Sequence, residues 1–390
     1  MLIGIDLLWV RPNICGGTES VIRNLMNGFG MYDDKNEYIL FAGKDVANSF
    51  SDYENYPNMK IHPCDTESMK RVKRIAWENA NLDKLARSLS VKLMLIPVYS
   101  KPKSLPVEKG GIPFITVIHD LQALHFPEYF SKPKIFFAKR SWKKACEESE
   151  EVVTISEFCR NDIIEHYPVC KDKISVIYNP IVVSEAQDEN LTFHAVSDKY
   201  GIEKNGYFYT VSSMLPHKNL STLIKVMAKI NSDENGDDDI SSLKGMKLVV
   251  SGVGGKKEEF LEDVRKAGVE DYVCDTGYVS DEERDSLYSN CRMFLFPSTF
   301  EGFGMPPVES MMKGAVTVTT RSASIEEITG QKAVYVDDAK DVNEWVRKIA
   351  EAVSVQGKKH SFPEYELKFA TEKYISLFES VKNKALMTEQ

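Results

Sequence analysis

The sequence predicts an α/β protein of two doubly wound domains, each a mostly parallel sheet covered by helices. Three observations predict it. Short apolar runs alternate with helix-length stretches through both halves of the chain, the pattern of βα units. The runs are apolar throughout, as in strands buried on both faces. Loops rich in glycine, serine, histidine and lysine follow the strands directly, where open α/β sheets bind ligands.

In the first half the strand candidates are Leu2–Leu8, Tyr38–Ala42, Leu93–Val98, Phe114–Ile118, Val152–Ile155 and Ile174–Tyr178. Helical stretches lie around 19–29, 69–88, 133–148 and 157–166. Gly16 and Gly17, in the loop Asn13–Thr18, either admit a ligand close to the backbone or make a tight turn. His119 stands at a strand end; there it is either structural or a group that titrates and donates near neutrality. Ser156 reads as an N-cap with Glu157 in the first helical turn. Residues 132–144 hold Lys132, Lys134, Lys139, Arg140, Lys143 and Lys144 interleaved with Phe136, Phe137 and Trp142. That stretch is a candidate for contact with an anionic membrane surface; otherwise it is a core-facing aromatic stripe with a solvated basic face.

The pattern changes after Asn179-Pro180, where a polar run, Ser184–Asn190, breaks the alternation. The expected organisation is a domain over 1–183, a linker over 184–205, a second domain over 206–361, and a final helix within 362–390 packed across both. Second-half strands are expected at Tyr207–Val211, Lys247–Val250, Tyr272–Cys274, Met293–Phe296, Val316–Thr320 and Val334–Val336. Helices are expected at 219–230, 256–267, 280–289, 307–313 and 340–353. No short-period repeat points to a solenoid.

Composition bounds the function. A chain of 390 residues with 43% hydrophobic and 27% charged residues is an ordinary globular one, and its length corresponds to about two or three domains. Net charge of −9 argues against nucleic acid as a partner. Seven cysteines, an odd number without a C-x-x-C pair, argue against a disulfide framework or a thiolate zinc site and for a reducing cytoplasm. Met1 leads into a strand pattern, not a secretory leader, and no apolar run is long enough to span a bilayer.

The chemistry concentrates in the second half. Phe296–Gly314, FPSTFEGFGMPPVESMMKG, runs from a strand end through a loop into a short helix. Gly302 and Gly304 open the backbone for close approach, the helix start attracts anions, and Glu301 and Glu309 offer carboxylates to hydroxyls. A phosphorylated, hydroxyl-rich ligand suits it; the alternative is a plain strand-to-helix loop with surface glutamates. Lys218 opens a helix after the first strand of this half and is a candidate phosphate partner. Gly252 lies in a Gly-x-Gly loop that lacks the third glycine, Lys257 standing there, with Asp275 at the distance of a ribose-binding acid. Ser280 with Glu283, and Ser324 with Glu327, have capping-box spacing. Asp237-Asp238-Asp239 is a D-x-D run that reads as a solvated loop before it reads as a cation site. The strand-end loops of this half are expected to converge on one sheet edge.

The E-x7-E spacing of Glu301 and Glu309 within EGFGMPPVES, with His217-Lys218-Asn219-Leu220, Gly277-Tyr-Val and Val117-Ile-His-Asp-Leu121, resembles a family-four retaining glycosyltransferase of the GT-B fold over roughly residues 1–340. The resemblance implies two Rossmann-like domains facing a cleft, with a nucleotide-sugar donor on the second and a glycan or lipid-linked glycan acceptor on the first. It implies that Glu309 holds ribose hydroxyls and Glu301 sugar hydroxyls. Backbone N–H groups of Gly302, Phe303, Gly304 and Met305 contact the sugar or diphosphate, and Lys218 neutralises the diphosphate. His119 touches the donor sugar near the reacting carbon, and Gly16 and Gly17 let the first domain close on the phosphates. Tyr278 and Val279 line the base pocket, and Gly252 lies along the donor site. Many members carry an arginine before the lysine; here Ser212, Ser213 and His217 occupy those positions, which leaves neutralisation to Lys218 alone, with His217 or a backbone contact helping, and Ser213 along the donor site. The implied reaction is a metal-independent, retaining hexosyl transfer without a cofactor. His125-Phe126-Pro127 and Val176–Asn179 resemble bacterial mannosyl- and rhamnosyltransferases of surface-polysaccharide assembly, which puts GDP-mannose first and UDP- or dTDP-sugars behind. The competing classes are an NAD-type oxidoreductase, a non-catalytic partner subunit of the same fold and a metal-dependent transferase. The implied place is the cytoplasm, with peripheral attachment to the inner face of the membrane through 132–144.

Overall fold

The computed structural model describes residues 1–12, 14, 16–99, 102, 111–183, 189–232 and 238–388. The chain divides into two compact units, Met1–Val182 with Pro363–Gln390, and Val183–Phe362.

The first unit is built on a seven-stranded parallel sheet of β1 (Leu2–Asp6), β2 (Glu37–Gly43), β3 (Met59–Cys64), β4 (Leu93–Ile96), β5 (Phe114–Ile118), β6 (Glu151–Thr154) and β7 (Ile174–Val176). Their order is β3-β2-β1-β4-β5-β6-β7. In β1 a Cβ at Gly4 would stand 2.4 Å from Met94 Sδ and 2.7 Å from a Phe41 ring carbon, so glycine lets this central strand pack closely. β3 was not expected from the sequence. Pro63 interrupts its pattern, and the edge position explains the tolerance, because an edge strand can spare one N–H.

The helix Leu367–Thr388 packs on Gly17–Tyr32 within this unit. A Cβ at Gly28 would lie 2.1 Å from Thr371 Oγ1, so the two helices approach closely there. Phe29 meets Tyr374 and Phe378 with ring centroids 5.9 and 5.7 Å apart. Each such buried ring contributes roughly 2–3 kcal/mol.

The helix Lys132–Glu148 divides its aromatics. Trp142 is core, with Ala138, Ala145 and Cys146, whereas Phe136 and Phe137 are 63% and 65% exposed beside the lysines. A wholly core-facing aromatic stripe is therefore not what this helix presents. Among the described residues, no helix is long and apolar enough to cross a membrane.

The second unit carries β8 (Tyr207–Val211), β9 (Lys247–Ser251), β10 (Val273–Gly277), β11 (Met293–Phe296), β12 (Thr317–Thr320) and β13 (Val334–Val336), all parallel, in the order β10-β9-β8-β11-β12-β13. One face is packed by Leu223, Met227, Phe260, Trp345 and Ile349, the other by Tyr207, Tyr209, Tyr288 and Phe294. Within the stretch expected as a linker, Glu189–Tyr200 forms a helix whose Val196 is buried in the second core, while residues 184–188 lie outside the described residues. Its polar start hides the one-sided burial from a reading of composition.

Candidate functional site

In both sheets the strand order reverses direction at one place, and open α/β sheets bind ligands outside the carboxyl ends of the two strands on either side of such a point. In the second sheet those strands are β8 and β11, paired with Phe208 opposite Met293. The loop after β8 carries Lys218 and the loop after β11 carries Glu301. Residues 83 apart in sequence are thereby joined by a 2.7 Å bond from Lys218 Nζ to Glu301 Oε1. Both side chains are partly buried, 23% and 13% exposed. The ammonium also stands 5.7 Å from the Phe296 ring centroid.

The turn that presents Lys218 is held from several sides. The His217 carbonyl accepts from Thr299 N at 2.7 Å and from the Ser298 and Thr299 hydroxyls at 3.1 Å each. Asn219 adopts left-handed backbone (φ 51°) and donates through Nδ2 to the Pro297 and Ala339 carbonyls at 3.2 and 2.7 Å. Burial first, and then the Lys218 charge, bring the His217 imidazole down to about 4, so it is neutral near pH 7. The expectation that His217 assists Lys218 therefore reduces to a neutral donor or acceptor.

The loop from β11 to the next helix is fixed by Ser324, whose hydroxyl donates to the Glu301 and Phe303 carbonyls at 2.9 Å each. Ser324 was expected to cap its own helix; it makes no side-chain cap there, because its hydroxyl serves this loop. Gly304, with φ of 93°, turns the chain into the helix Met305–Met312. An L side chain is strained in that conformation. Pro306 and Pro307 lack N–H groups, so the backbone donors at this helix start come from Met305 and the loop before it. Phe303 is buried and offers a ligand its backbone only.

Glu309 stands apart from Glu301, in a buried charge network. Tyr288 OH donates to Glu309 Oε2 at 3.0 Å, and Arg284 Nε lies 3.9 Å from the same oxygen. Burial raises the Glu309 pKa, and Arg284 and the Tyr288 hydrogen bond oppose that rise. Arg284 also reaches Asp281 at 2.7 Å and Asp285 at 3.3 Å, and Asp285 in turn meets Lys313 at 3.3 Å. Sequence reasoning missed Arg284 and Tyr288. The available signal was their spacing of four on a helix capped by Ser280 and Glu283, the expected capping box.

On the other side of β8, Gly252 (φ 91°) follows β9 and donates its N–H to the Gly277 carbonyl at 3.0 Å. Ser212 N bonds the Ser251 carbonyl at 2.9 Å, and Ser213 is half-buried next to it. Asp275, weighed as a ribose acid, is held by Lys257 at 3.1 Å and by the Gly277 N–H at 2.9 Å. The lysine that breaks the glycine fingerprint thus occupies the acid that would complete it. Tyr278 is 88% exposed after β10, whereas Val279 is 9% exposed among Leu287 and Tyr288. The Val279 side chain packs into the second core, and exposed Tyr278 is the neighbour that faces outward.

In the first unit, His119 follows β5 and its Nε2 is 3.1 Å from the Pro97 carbonyl after β4, so that nitrogen carries the proton. Burial lowers its pKa and it is neutral. Gly16 (φ 59°) precedes the helix Gly17–Tyr32 with open space around it; Asn13 and Cys15 of that loop lie outside the described residues. Ser156 caps as expected, accepting from Cys159 N at 3.1 Å. Asp237, and the side chains of Asp238 and Asp239, lie outside the described residues. Among the described residues no cluster of three or more His, Cys, Asp or Glu side chains is arranged to hold a metal.

Two family models match the chain, "Glycosyltransferase Family 4" over 15–185 and "Glycosyl transferases group 1" over 193–369. Among curated relatives, O-antigen chain mannosyltransferase B of Escherichia coli is 27% identical over 57% of this chain and 57% of its own length. O-antigen chain mannosyltransferase RfbU of Salmonella typhimurium is 27% identical over 60% of this chain and 59% of its own. The chain thus spans less than two thirds of the length of these relatives. Among solved structures, Anabaena Alr3699/HepE in complex with UDP and glucose matches 97% of this chain and all of its own with a TM-score of 0.65 at 16% identity. WaaG, a glycosyltransferase involved in lipopolysaccharide biosynthesis, gives 0.65 at 12% identity over 96% of this chain and 99% of its own. These likenesses establish the GT-B fold for the two parallel-sheet units.

Proposed function

We propose, on the premise that the chain belongs to the glycosyltransferases of family 4 and group 1, that it is a hexosyltransferase taking its sugar from a nucleotide donor. The observation that carries the reading is the Lys218–Glu301 pair at the β8–β11 crevice, with Glu309 buried on the helix that follows. An ammonium, a carboxylate and a second carboxylate on one short element suit a diphosphate, sugar hydroxyls and ribose hydroxyls in turn. Lys218 then offsets charge on the departing diphosphate, Glu301 accepts from the sugar, and Glu309 accepts from the ribose. Backbone N–H groups of Gly302, Phe303, Gly304 and Met305 serve the sugar or diphosphate. Exposed Tyr278 suits the base, Gly252, Ser213 and His217 border the phosphates, and His119, Gly16 and Gly17 act from the first unit.

The proposed course is retaining and without metal. The anomeric C–O bond to the diphosphate breaks, the acceptor hydroxyl oxygen bonds to the anomeric carbon on the same face, and its proton passes to a donor phosphate oxygen. GDP-mannose is the first donor, supported by the mannosyltransferase relatives; UDP- and dTDP-sugars stand second. The acceptor is a glycan or lipid-linked glycan of surface-polysaccharide synthesis at the cytoplasmic face. Exposed Phe136 and Phe137 beside Lys132, Lys139, Arg140 and Lys143 support peripheral contact with an anionic membrane.

Incubation with a panel of nucleotide sugars, reading released nucleoside diphosphate, tests the donor. Release from GDP-mannose alone is expected, and release from none of the panel overturns the transferase reading. Lys139→Glu with Arg140→Glu is expected to weaken binding to anionic vesicles; unchanged binding rules out the membrane contact.

A further inference from the structure

We infer that Arg284, which no donor contact requires, is a positioning residue that keeps Glu309 an ionised, correctly turned acceptor for the nucleotide's ribose hydroxyls. The inference rests on the reading of Glu309 as the ribose acceptor and adds what makes that carboxylate able to act.

A carboxylate on a buried helix face loses most of its hydration, which favours the protonated form. A protonated Glu309 could accept less and would donate, a poor match to a pair of neighbouring hydroxyls. The structure supplies a counter-charge from the facing helix Asp281–Asn290. Arg284 and Tyr288 are one turn apart on it, and both reach Glu309 Oε2, at 3.9 and 3.0 Å. Both contacts fall on Oε2, which leaves Oε1 as the oxygen for a ligand.

The guanidinium is held in turn. Asp281 at 2.7 Å and Asp285 at 3.3 Å fix its two terminal nitrogens. Its Nε is buried and lacks a hydrogen-bond partner of its own, so it faces Glu309 alone. Asp285, 2% exposed, is balanced from the other side by Lys313 at 3.3 Å, four residues beyond Glu309 at the end of its helix. The charged and titratable groups around Glu309 are therefore Arg284, Asp281, Asp285 and Tyr288 on the facing helix, Lys313 at the end of its own helix and Tyr209 on β8. Arg284 and Lys313 balance Glu309 and Asp285, leaving the buried part of the network neutral. Arg284 is the cation that touches both carboxylates.

Removing that cation leaves Glu309 buried without its compensating charge, and the carboxylate takes up its proton at a higher pH than in the wild type. Nucleotide binding then becomes pH-dependent where the wild type is flat. The experiment titrates GDP and UDP, whichever binds more tightly, against wild type, Arg284→Gln, Arg284→Lys and Glu309→Gln between pH 6 and 9. Arg284→Gln is expected to bind about tenfold or more weakly at pH 6.5 and to recover toward wild type by pH 9. Arg284→Lys, which keeps the charge, is expected to stay within a few-fold of wild type throughout. The diphosphate's own second ionisation is common to all variants and cancels in their ratios.

If Arg284→Gln is weakened equally at every pH, Arg284 is merely structural and the inference is overturned. If it binds as wild type while Glu309→Gln loses binding, the inference also fails but the ribose reading stands. If Glu309→Gln binds as wild type, the ribose reading itself fails. Should Arg284→Gln not fold, as judged by melting, the Arg284→Lys and Glu309→Gln profiles decide. A Lys variant with wild-type melting but affinity lost at all pH values excludes a role through charge.

Discussion

Replacing Lys218 with methionine separates its structural role from its proposed catalytic one. The ammonium lies 2.7 Å from Glu301 Oε1, with the pair 23% and 13% exposed. At that distance, with an effective dielectric of about 20, the attraction is on the order of 6 kcal/mol before desolvation is subtracted. Partial exposure and the cost of ordering both side chains leave a net contribution of about 1–2 kcal/mol to stability. On the proposed reading the contribution to the reaction is larger, because Lys218 would be a preorganised cation where diphosphate charge develops. Losing one such group costs about 100- to 1,000-fold in kcat. Lys218→Met is therefore expected to melt only a few degrees lower while losing about 100-fold or more in kcat for donor turnover. Glu301→Gln with Lys218→Met, which strands no charge, is expected to regain the lost melting temperature without regaining kcat. Wild-type kcat within threefold for Lys218→Met, measured as nucleoside diphosphate released from saturating donor, would refute the assignment.

Other perturbations address the frame around that pair. Ser324→Ala removes both hydroxyl bonds to the Glu301 and Phe303 carbonyls and is expected to cost about 1–2 kcal/mol in urea melts, with a raised donor KM. Gly304→Ala forces a side chain to φ of 93°, with an expected loss of about 1 kcal/mol or more; equal melting temperatures would show the turn relaxes freely. His217 has a folded-state pKa of about 4 against an ordinary 6.5. The unfolded chain therefore takes up the proton first, and stability that is full above pH 6.5 is lost as pH falls toward 4. Discounted for partial exposure, the loss is about 1–2 kcal/mol, and His217→Gln is expected to flatten that part of the pH–stability curve. Donor turnover is expected to survive excess EDTA within twofold; its abolition, restored by Mg²⁺ or Mn²⁺, would put a metal into the reaction.

Much of the candidate site was legible because its residues are local. Gly304, Pro306 and Pro307 punctuate a strand-to-helix loop in a way composition alone exposes, and Glu301 and Glu309 are set on either side of it. Ser156 and the Ser280–Glu283 box are caps whose partners lie within one turn. Less legible were residues whose partners come from elsewhere in the chain. Ser324 has cap spacing yet bonds a loop 21 and 23 residues away. Val279 sits beside an exposed tyrosine in sequence and turns into the core in space. Asp275 has the spacing of a ribose acid and is taken by Lys257.

The sequence by itself determined that the chain alternates strands and helices in two halves and that its sheets are parallel. Periodicity, buried apolar runs and turn residues are local signals, and they survive in one dimension. Only the tertiary structure decided that β8 lies beside β11, so that Lys218 and Glu301 neutralise one another across 83 residues. It alone decided that Arg284 and Tyr288 face Glu309. The physical reason is that a carboxylate's charge state and free lone pairs are set by whatever packs within a few ångströms of it. Strand order, which no local pattern encodes, chooses those neighbours.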